Sequence, residues 1–343
     1  MRQTSLIIFL IAATVLLAVT NLIVGSVNIP ADAVFNILNP LAAPDKANNE
    51  IWTNIVLQTR LPQTITAIAC GAGLAVAGME MQTIFRNPLA GPSVLGISSA
   101  ASLGVAFVVL LSGACGSTAL LRFGIIGNSA ITVAAICGAM LVMAIIVYLS
   151  QRVSGNATLL ITGVLIGYIA TAIIGVLKFF ATEEDIRAYV VWGLGSFSRV
   201  TGGQVNVFAS LTAIMLPVVM LLAKPLNIML LGDVYAMNLG LNVKRYRMLI
   251  ITSAGVLTAI VTAYCGPIMF LGLAVPHICR ELFVTSDHRI LIPANAICGA
   301  ALALLCNLIA RLPGFEGALP INSVTALIGA PIALTVLLKK KKG

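Results

Sequence analysis

The sequence predicts an all-helical membrane protein, and three observations lead to that fold class. Of the 343 residues, 59% are hydrophobic and only 9% are charged, whereas a soluble domain carries about 25% charged residues. Mean hydropathy is +1.06, and apolar runs of about 20 residues, long enough to span a bilayer as helices, recur along the chain. These runs do not alternate with a period of two, as transmembrane barrel strands would. A soluble enzyme, a disordered chain and a disulfide scaffold are therefore excluded.

Ten apolar segments are predicted to cross the membrane within one transmembrane domain that covers residues 1–343. The first is too long for the core of a signal peptide, and the eighth, which contains Pro276, is short enough to be a half-buried helix. The segments lie near residues 6–27, 62–82, 93–112, 122–148, 156–180, 205–223, 248–265, 268–282, 289–310 and 322–338.

The distribution of cations predicts both termini in the cytoplasm. If ten spans alternate from an inside N-terminus, thirteen Lys and Arg residues lie inside and six lie outside, and Lys178 lies near the outer end of the fifth span. Cytoplasmic loops carry such an excess. The net charge of +9 then reflects topology, with Lys339 to Lys342 at anionic lipid headgroups. No basic stripe interleaved with aromatic residues is present, so we expect no nucleic-acid partner.

Two polar stretches interrupt the spans. Asn28 to Arg60 is predicted to be an outer loop. Lys224 to Arg247 is predicted to form two short cytoplasmic helices, with Asp233 capping the first, Gly240 at its end and Asn242 capping the second. Such a compact element between two spans suggests a docking surface for a partner. An ordinary amphipathic loop resting on the membrane is the alternative.

Four groups of motifs follow one another along the chain. In the first, Arg60-Leu61-Pro62 leads into the small residues from Gly71 to Gly78, which permit close helix packing. The second is a turn whose prolines oppose helical geometry; it follows Met81-Gln82 and reads Asn87-Pro88-Leu89-Ala90. The third contains Leu239-Gly240-Leu241-Asn242-Val243, Gly266-Pro267-Ile268, Phe270-Leu271-Gly272-Leu273, Pro276-His277-Ile278, Arg280 and Asp287-His288-Arg289. The fourth contains Leu319-Pro320, Val324-Thr325-Ala326 and Gly329-Ala330-Pro331.

In this order and spacing, the motifs resemble the FecCD-type permease subunits of binding-protein-dependent ABC importers for iron-siderophores, haem and cobalamin. The resemblance covers almost the whole chain. It implies a type II importer fold of about ten helices, with two related halves at about 1–200 and 201–343, although the sequence itself shows no convincing repeat. It also implies a homodimer with the substrate path along its interface, in the cytoplasmic membrane of a bacterium.

The partners implied by the resemblance are two copies of a separate ABC ATPase and an outer binding protein that is periplasmic or lipid-anchored. The chain has no G-x-x-x-x-G-K-[ST] motif, so ATP and Mg²⁺ are expected on the ATPase. We expect the chain to be a transport subunit with no cofactor and no catalytic residue of its own. Two scattered histidines and seven cysteines without a C-x-x-C pair predict no metal site.

The resemblance also assigns three sets of site residues. The residues implied for ATPase coupling are Asp233, Leu239, Gly240, Asn242, Lys244, Arg245, Arg247, His277 and Arg280. Arg60 and Arg311 match the family's docking positions for the binding protein, and Lys46 is expected beside them. Asn156 and Ala157 match the family's inner gate, while Thr171 and Lys178 lie on the span that lines the family's path, where Lys178 is an intramembrane cation that could attract an anionic substrate. Arginine suits docking because it holds a carboxylate through two bonds. Snorkelling to the interface is the alternative for Arg60, Arg311 and Lys178.

Two other classes of function remain alternatives. An ion- or proton-coupled secondary transporter would use ionisable residues near the bilayer midplane, and Glu80 and Lys178 both lie near span ends. We expect Glu80 to pair with Arg86 across the turn. A membrane enzyme would need clustered acids or histidines. The substrate stays open among a ferric siderophore, haem and cobalamin, because the motifs are shared.

Overall fold

The computed structural model describes residues 2–39, 50–114, 124–152, 155–200, 202–312 and 318–340, and the regular structure within them is helical. A π-helical turn, Ile55–Arg60, runs directly into α4, and a 3-10 turn, Pro92–Leu95, precedes α5. The helices in chain order are α1 Arg2–Ile23, α2 Ala31–Leu38, α3 Glu50–Asn54, α4 Leu61–Phe85, α5 Ile97–Ala114, α6 Gly124–Arg152, α7 Asn156–Phe180, α8 Glu183–Gly193, α9 Gly203–Leu221, α10 Ala223–Leu230, α11 Asp233–Asn238, α12 Val243–Cys265, α13 Leu271–Phe283, α14 His288–Ala310 and α15 Ile321–Lys340.

Each of the ten predicted spans coincides with a helix, namely α1, α4 to α7, α9 and α12 to α15. Within the described residues, seven helices are long and apolar enough to cross a membrane, and the apolar parts of α5 and α15 are shorter. Helix α13, the predicted half-buried span, has only 13 residues. The all-helical fold class is therefore confirmed. The number of crossings and the side of each terminus stay predictions.

Helix α4 lies at the centre of the bundle, buried along most of its length, with α9, α12, α13 and α14 packed around it. A Cβ atom on Gly71 would lie 2.1 Å from the carbonyl oxygen of Gly299 in α14, and one on Gly78 only 1.7 Å from that of Gly272 in α13. The small residues of α4 therefore bring its backbone against two neighbours, as predicted. Helices from the predicted second half thus surround a helix of the first.

The predicted outer loop from Asn28 to Arg60 is largely helical, and in this the prediction is wrong. Helix α2 occupies part of it, and a continuous helical segment begins at Glu50 and runs through the π-helical turn into α4. The stretch Glu50 to Arg60 contains neither glycine nor proline, so nothing interrupts the helix. The polar residues Asn54, Gln58 and Arg60 lower the hydropathy of this stretch, so hydropathy did not indicate the helix.

The structure of Lys224 to Arg247 also differs from the predicted pair of short helices. Helices α10 and α11 occupy its first part, but the residues after Asn242 open α12, which is the seventh span itself. No glycine or proline separates the basic turn Lys244 to Arg247 from the apolar residues that follow. The second short helix is therefore the first turn of a transmembrane helix.

Candidate functional site

Two glycines bound the short helix α11 at one end of the bundle, which we call the Asp233 end. Gly232 (φ +109°) and Gly240 (φ +81°) adopt backbone conformations that favour glycine. Asn242 then caps α12, because its Oδ1 accepts a hydrogen bond from the backbone N–H of Arg245 at 3.1 Å. This cap was predicted from the sequence.

Asp233 does not cap α11, contrary to the prediction. Gly232 holds the N-cap position without a side-chain bond, and the Asp233 carboxylate instead pairs with two arginines. Its Oδ1 accepts from Arg86 Nη2 at 2.7 Å, and its Oδ2 accepts from Arg247 Nη2 at 2.5 Å. One carboxylate therefore joins the C-terminal end of α4, helix α11 and the N-terminal end of α12. Arg86 lies 147 positions away in the chain, so local sequence spacing could not predict the pairing.

Helix α11 and the residue after it expose a cluster of large apolar side chains, which we call the apolar patch. Val234, Tyr235, Met237 and Leu239 are between 56% and 68% exposed. Contiguous apolar groups of this kind mark interaction surfaces. Sequence reasoning had named only Leu239. The available signal was a run of large apolar residues between two glycines.

Two predicted coupling residues on α13 hold it against the end of α4. His277 Nε2 lies 2.9 Å from the carbonyl oxygen of Pro88, in the turn after α4. Arg280 Nη1 donates to Gln82 Oε1 at 2.7 Å. Lys244 and Arg245 are instead exposed at the start of α12. The predicted coupling residues therefore lie in two layers, one exposed and one packed behind it.

A second polar cluster ties α10 to α4 and α14. The sequence singled out Asp287 and His288 as part of a motif, but not their contacts or Asn227. The Asn227 amide donates to Asp287 Oδ1 at 2.6 Å and accepts from His288 Nδ1 at 2.7 Å. His288 Nε2 lies 2.8 Å from the Thr83 hydroxyl in the last turns of α4. The backbone N–H of Arg289 and the Asn227 amide, which both donate to its carboxylate, lower the pKa of Asp287.

At the opposite end, which we call the Arg60 end, Arg60 is only 2% exposed. Its Nη1 donates to the carbonyl oxygens of Leu22 at 2.8 Å and Ile23 at 2.6 Å, and its Nη2 donates to that of Val27. These carbonyls close the C-terminus of α1, where a cation is favoured. Arg60 thus stabilises a helix end, and its role in docking stays a prediction.

Arg311 lies beside this helix end. Its Nη1 donates to Gln63 Oε1 at 2.5 Å and its Nη2 to the carbonyl oxygen of Asn21 at 2.8 Å. Burial, and then the charge of Arg60, lower the pKa of Arg311 to about 10. A cavity of about 210 Å³ opens between the two arginines and Gln63. The other predicted docking residue, Lys46, lies outside the described residues.

The predicted gate and path residues lie along α7. Asn156 is its first residue, after Gly155, and Ala157 is exposed. Thr171 is exposed and donates to the Gly167 carbonyl oxygen at 2.9 Å. Lys178 Nζ lies 4.8 Å from the centre of the Tyr189 ring, within the range of a cation–π contact. Large apolar residues are exposed along the same helix: Ile161, Leu165, Tyr168, Ile169, Ile173, Val176, Phe179 and Phe180.

Glu80 does not pair with Arg86, so that prediction is wrong. Its side chain is fully buried, and Ser253 of α12 donates to its Oε1. Its Oε2 is buried without a hydrogen-bond partner among the described residues. Arg86 instead turns outward to Asp233, because its left-handed backbone (φ +46°) ends the helix.

Comparison with known proteins places this architecture in a family. The FecCD transport family matches residues 11–339. The chain is 35% identical over 287 residues, 84% of each chain, to the vitamin B12 import system permease protein BtuC of Escherichia coli O9:H4. It is 37% identical over 289 residues, 83% of each chain, to that of Klebsiella pneumoniae subsp. pneumoniae.

A solved structure shares the fold. It is described as an inward-facing conformation of a metal-chelate type ABC transporter and superposes with a TM-score of 0.82 at 27% identity, over 98% of this chain and 99% of that one. The helical bundle is therefore that of a type II importer permease, a multi-pass protein of the cytoplasmic membrane. The chain belongs to the FecCD transport family and is the membrane-spanning permease of an ABC importer.

Proposed function

We propose that this permease moves a metal chelate (a ferric siderophore, haem or cobalamin) into the cytoplasm along the interface of a homodimer. A separate ATPase, in two copies, supplies the energy and binds ATP and Mg²⁺, while this chain holds no cofactor. The observation that carries the proposal is the apolar patch on α11, held by Asp233 at one end of a transmembrane bundle. The relatives named for vitamin B12 and the metal-chelate transporter support the substrate class.

The Asp233 end is the proposed ATPase side. The side chains of Tyr235 and its apolar neighbours are largely exposed. A partner surface that covers them removes this apolar area from water, and the hydrophobic effect then stabilises the complex. Lys244 and Arg245, exposed nearby, add positive charge at the rim. His277 and Arg280 hold α13 against the α4–α5 turn behind this surface. Leu239, Gly240 and Asn242 set the shape of the element.

The Arg60 end is the proposed outer side, where a binding protein docks. Arg60 and Arg311 lie next to a cavity, and no ion pair among the described residues neutralises either of them. A carboxylate from the binding protein is complementary to these two cations. It would compete with the carbonyl groups of α1, so docking is expected to loosen the end of that helix. Lys46, by its place in the sequence, is proposed to join this surface.

The proposed path runs beside α7 and α15. The apolar row on α7 and the exposed residues Leu327 and Leu334 of α15 are available to a second copy of the chain. Thr171 and Lys178 place a hydroxyl and a cation along this face, while Asn156 and Ala157 lie at its Asp233 end as the proposed inner gate. A cation near the outer end suits an anionic chelate.

A proton-coupled secondary transporter, the alternative that the sequence left open, differs from this proposal in its source of energy. The fully buried Glu80, with one carboxyl oxygen unpartnered among the described residues, is the observation that favours it. Uptake of cyanocobalamin, haemin and ferrichrome into proteoliposomes separates the two functions. Uptake that needs ATP inside, and continues without a proton gradient, supports the importer. Uptake driven by a gradient alone contradicts it.

The docking proposal is tested by replacing Tyr235 with serine and purifying the chain from native membranes in mild detergent. We expect the ATPase to co-purify with the unaltered chain and to be lost from Tyr235→Ser, because the central part of the apolar patch is removed. The matched control is Tyr148→Ser, since Tyr148 is also exposed but lies on α6. ATPase retained by Tyr235→Ser, or lost equally from both variants, contradicts docking on the patch.

A further inference from the structure

We propose that Asp233 and its two arginines, Arg86 and Arg247, are the link that carries movement of α11 into the transmembrane helices. We call this set the Asp233 link. The inference rests on the proposed docking of the ATPase on the apolar patch, and it adds the positioning residues through which that docking acts.

The backbone alone holds α11 weakly. The helix has six residues, and Gly232 and Gly240 flank it. Glycines leave the chain more freedom than other residues. Ala236 faces the bundle and is fully buried, but its single methyl group offers little contact. The orientation of α11 therefore depends on side-chain contacts with its neighbours.

The Asp233 link supplies such contacts at short distances. The bonds of 2.7 and 2.5 Å from Asp233 to Arg86 and Arg247 are both ion pairs. Hydrogen bonds between charged groups are about twice as strong as neutral ones. The Arg247 side chain is only 11% exposed, so solvent screens this pair less than a surface pair. Removal of the carboxylate leaves Arg247 without its counter-charge.

Both arms of the link end on helices that cross the bundle. Arg247 lies in the second turn of α12, and Arg86 ends α4, the central helix. The cluster around Asn227 reaches the same part of α4, because His288 contacts Thr83. Movement of α10 and α11 is thus passed to the last turns of α4 through two separate polar contacts. We infer that α4 and α12 are the helices that respond first when ATP closes the ATPase.

The test uses the permease with its co-purified ATPase in nanodiscs, and measures amide hydrogen exchange with and without a non-hydrolysable ATP analogue. In the unaltered complex, the analogue is expected to change exchange in α11, in the last turns of α4 and in the first two turns of α12. In Asp233→Asn, the change in α11 should remain. The change at α4 should shrink about fivefold or more, the size typical of a lost coupling between sites.

Controls separate a positioning role from a structural one. Asp233→Glu keeps the charge and is expected to restore the response at α4, whereas Asp32→Asn removes an exposed acid from α2 and should change nothing. If Asp233→Asn fails to assemble, Arg86→Gln carries the same measurement, because it leaves the pair between Asp233 and Arg247 in place.

Two outcomes are kept apart by this design. An assembled Asp233→Asn or Arg86→Gln complex whose α4 responds as fully as the unaltered protein overturns the link, while docking on the patch stands. Binding of the ATPase to Tyr235→Ser overturns the docking proposal itself, whatever Asp233 does.

Discussion

Glu80 and Arg60, the most deeply buried carboxylate and guanidinium among the described residues, tolerate burial in different ways. The Arg60 guanidinium donates hydrogen bonds to three carbonyl oxygens around the end of α1. Glu80 has one hydroxyl donor, from Ser253, and no ion pair among the described residues. A buried cation is stabilised by full hydrogen bonding, so Arg60 belongs to the architecture of the Arg60 end. Only one of the two Glu80 carboxyl oxygens has a hydrogen-bond partner among the described residues. Glu80 is therefore the residue whose substitution tests the transport mechanism.

Replacing Glu80 with glutamine tests that mechanism. Gln has the same shape and keeps an oxygen that accepts from Ser253, so ATP-driven uptake is expected to stay within about twofold of the unaltered complex. The measurement is uptake by proteoliposomes with ATP inside. The control is Glu80→Ala, which removes the acceptor and leaves a cavity, and is expected to lower the apparent Tm in detergent. Loss of uptake by a well-folded Glu80→Gln contradicts the importer mechanism proposed here.

At the scale of helices, the packing of α4 depends on glycines at its crossings with α13 and α14. A Cβ added at Gly78 meets backbone atoms of Gly272, which cannot swing aside as a side chain can. Overpacking of this kind forces the helices apart. The same crossing lies about two turns from Arg86 of the Asp233 link, so its spacing bears on coupling as well as on stability.

We therefore expect Gly78→Ala to destabilise the bundle by about 1–3 kcal/mol, the usual cost of overpacking a core. The measurement is the apparent Tm of the purified protein in detergent. Gly175→Ala is the matched control, because a Cβ at Gly175 in α7 meets nothing within 4 Å. Alanine in a helix interior is favoured over glycine by about 0.5–1 kcal/mol, so the control should hold or raise the Tm. An unchanged Tm for Gly78→Ala would show that the crossing can relax.

At the scale of the whole molecule, contact with lipid accounts for the exposed apolar surface of some helices better than for that of others. Helix α6 exposes Leu141, and such a surface suits acyl chains. Helices α7 and α15 also expose apolar residues, but on α7 the hydroxyl of Thr171 and the cation of Lys178 lie among them. A face that mixes large apolar residues with a few polar groups suits a protein interface beside a path.

If the homodimer forms through α15, substitution of Leu327 should weaken it and substitution of Leu141 should not. Leu327 on α15 is 76% exposed and Leu141 on α6 is 62% exposed. Leu327→Gln is expected to shift the purified permease from two copies of the 35.7 kDa chain towards one, because a polar group is introduced into the proposed interface. Leu141→Gln should leave the dimer intact. The mass is measured by light scattering with detergent subtracted, and equal dimer content in both variants contradicts an interface at α15.

The sequence alone was enough for the helical class, the positions of the ten candidate spans, the small-residue crossings of α4 and the cap at Asn242. These features are local: apolar length and small residues within one segment, and a side chain that bonds to a backbone group three positions on. The family was also recognisable, because its motifs are short runs of consecutive residues, and the comparisons confirmed it.

Only the tertiary structure decided which charges meet. Asp233 pairs with Arg86 and Arg247 instead of capping its helix, Glu80 meets Ser253 instead of Arg86, and Arg60 turns inward to α1. Most of these partners lie between 37 and 173 positions apart in the chain. A charged side chain pairs with whichever partner the packed helices bring within about 3 Å. The spacing of residues in the sequence does not determine that distance.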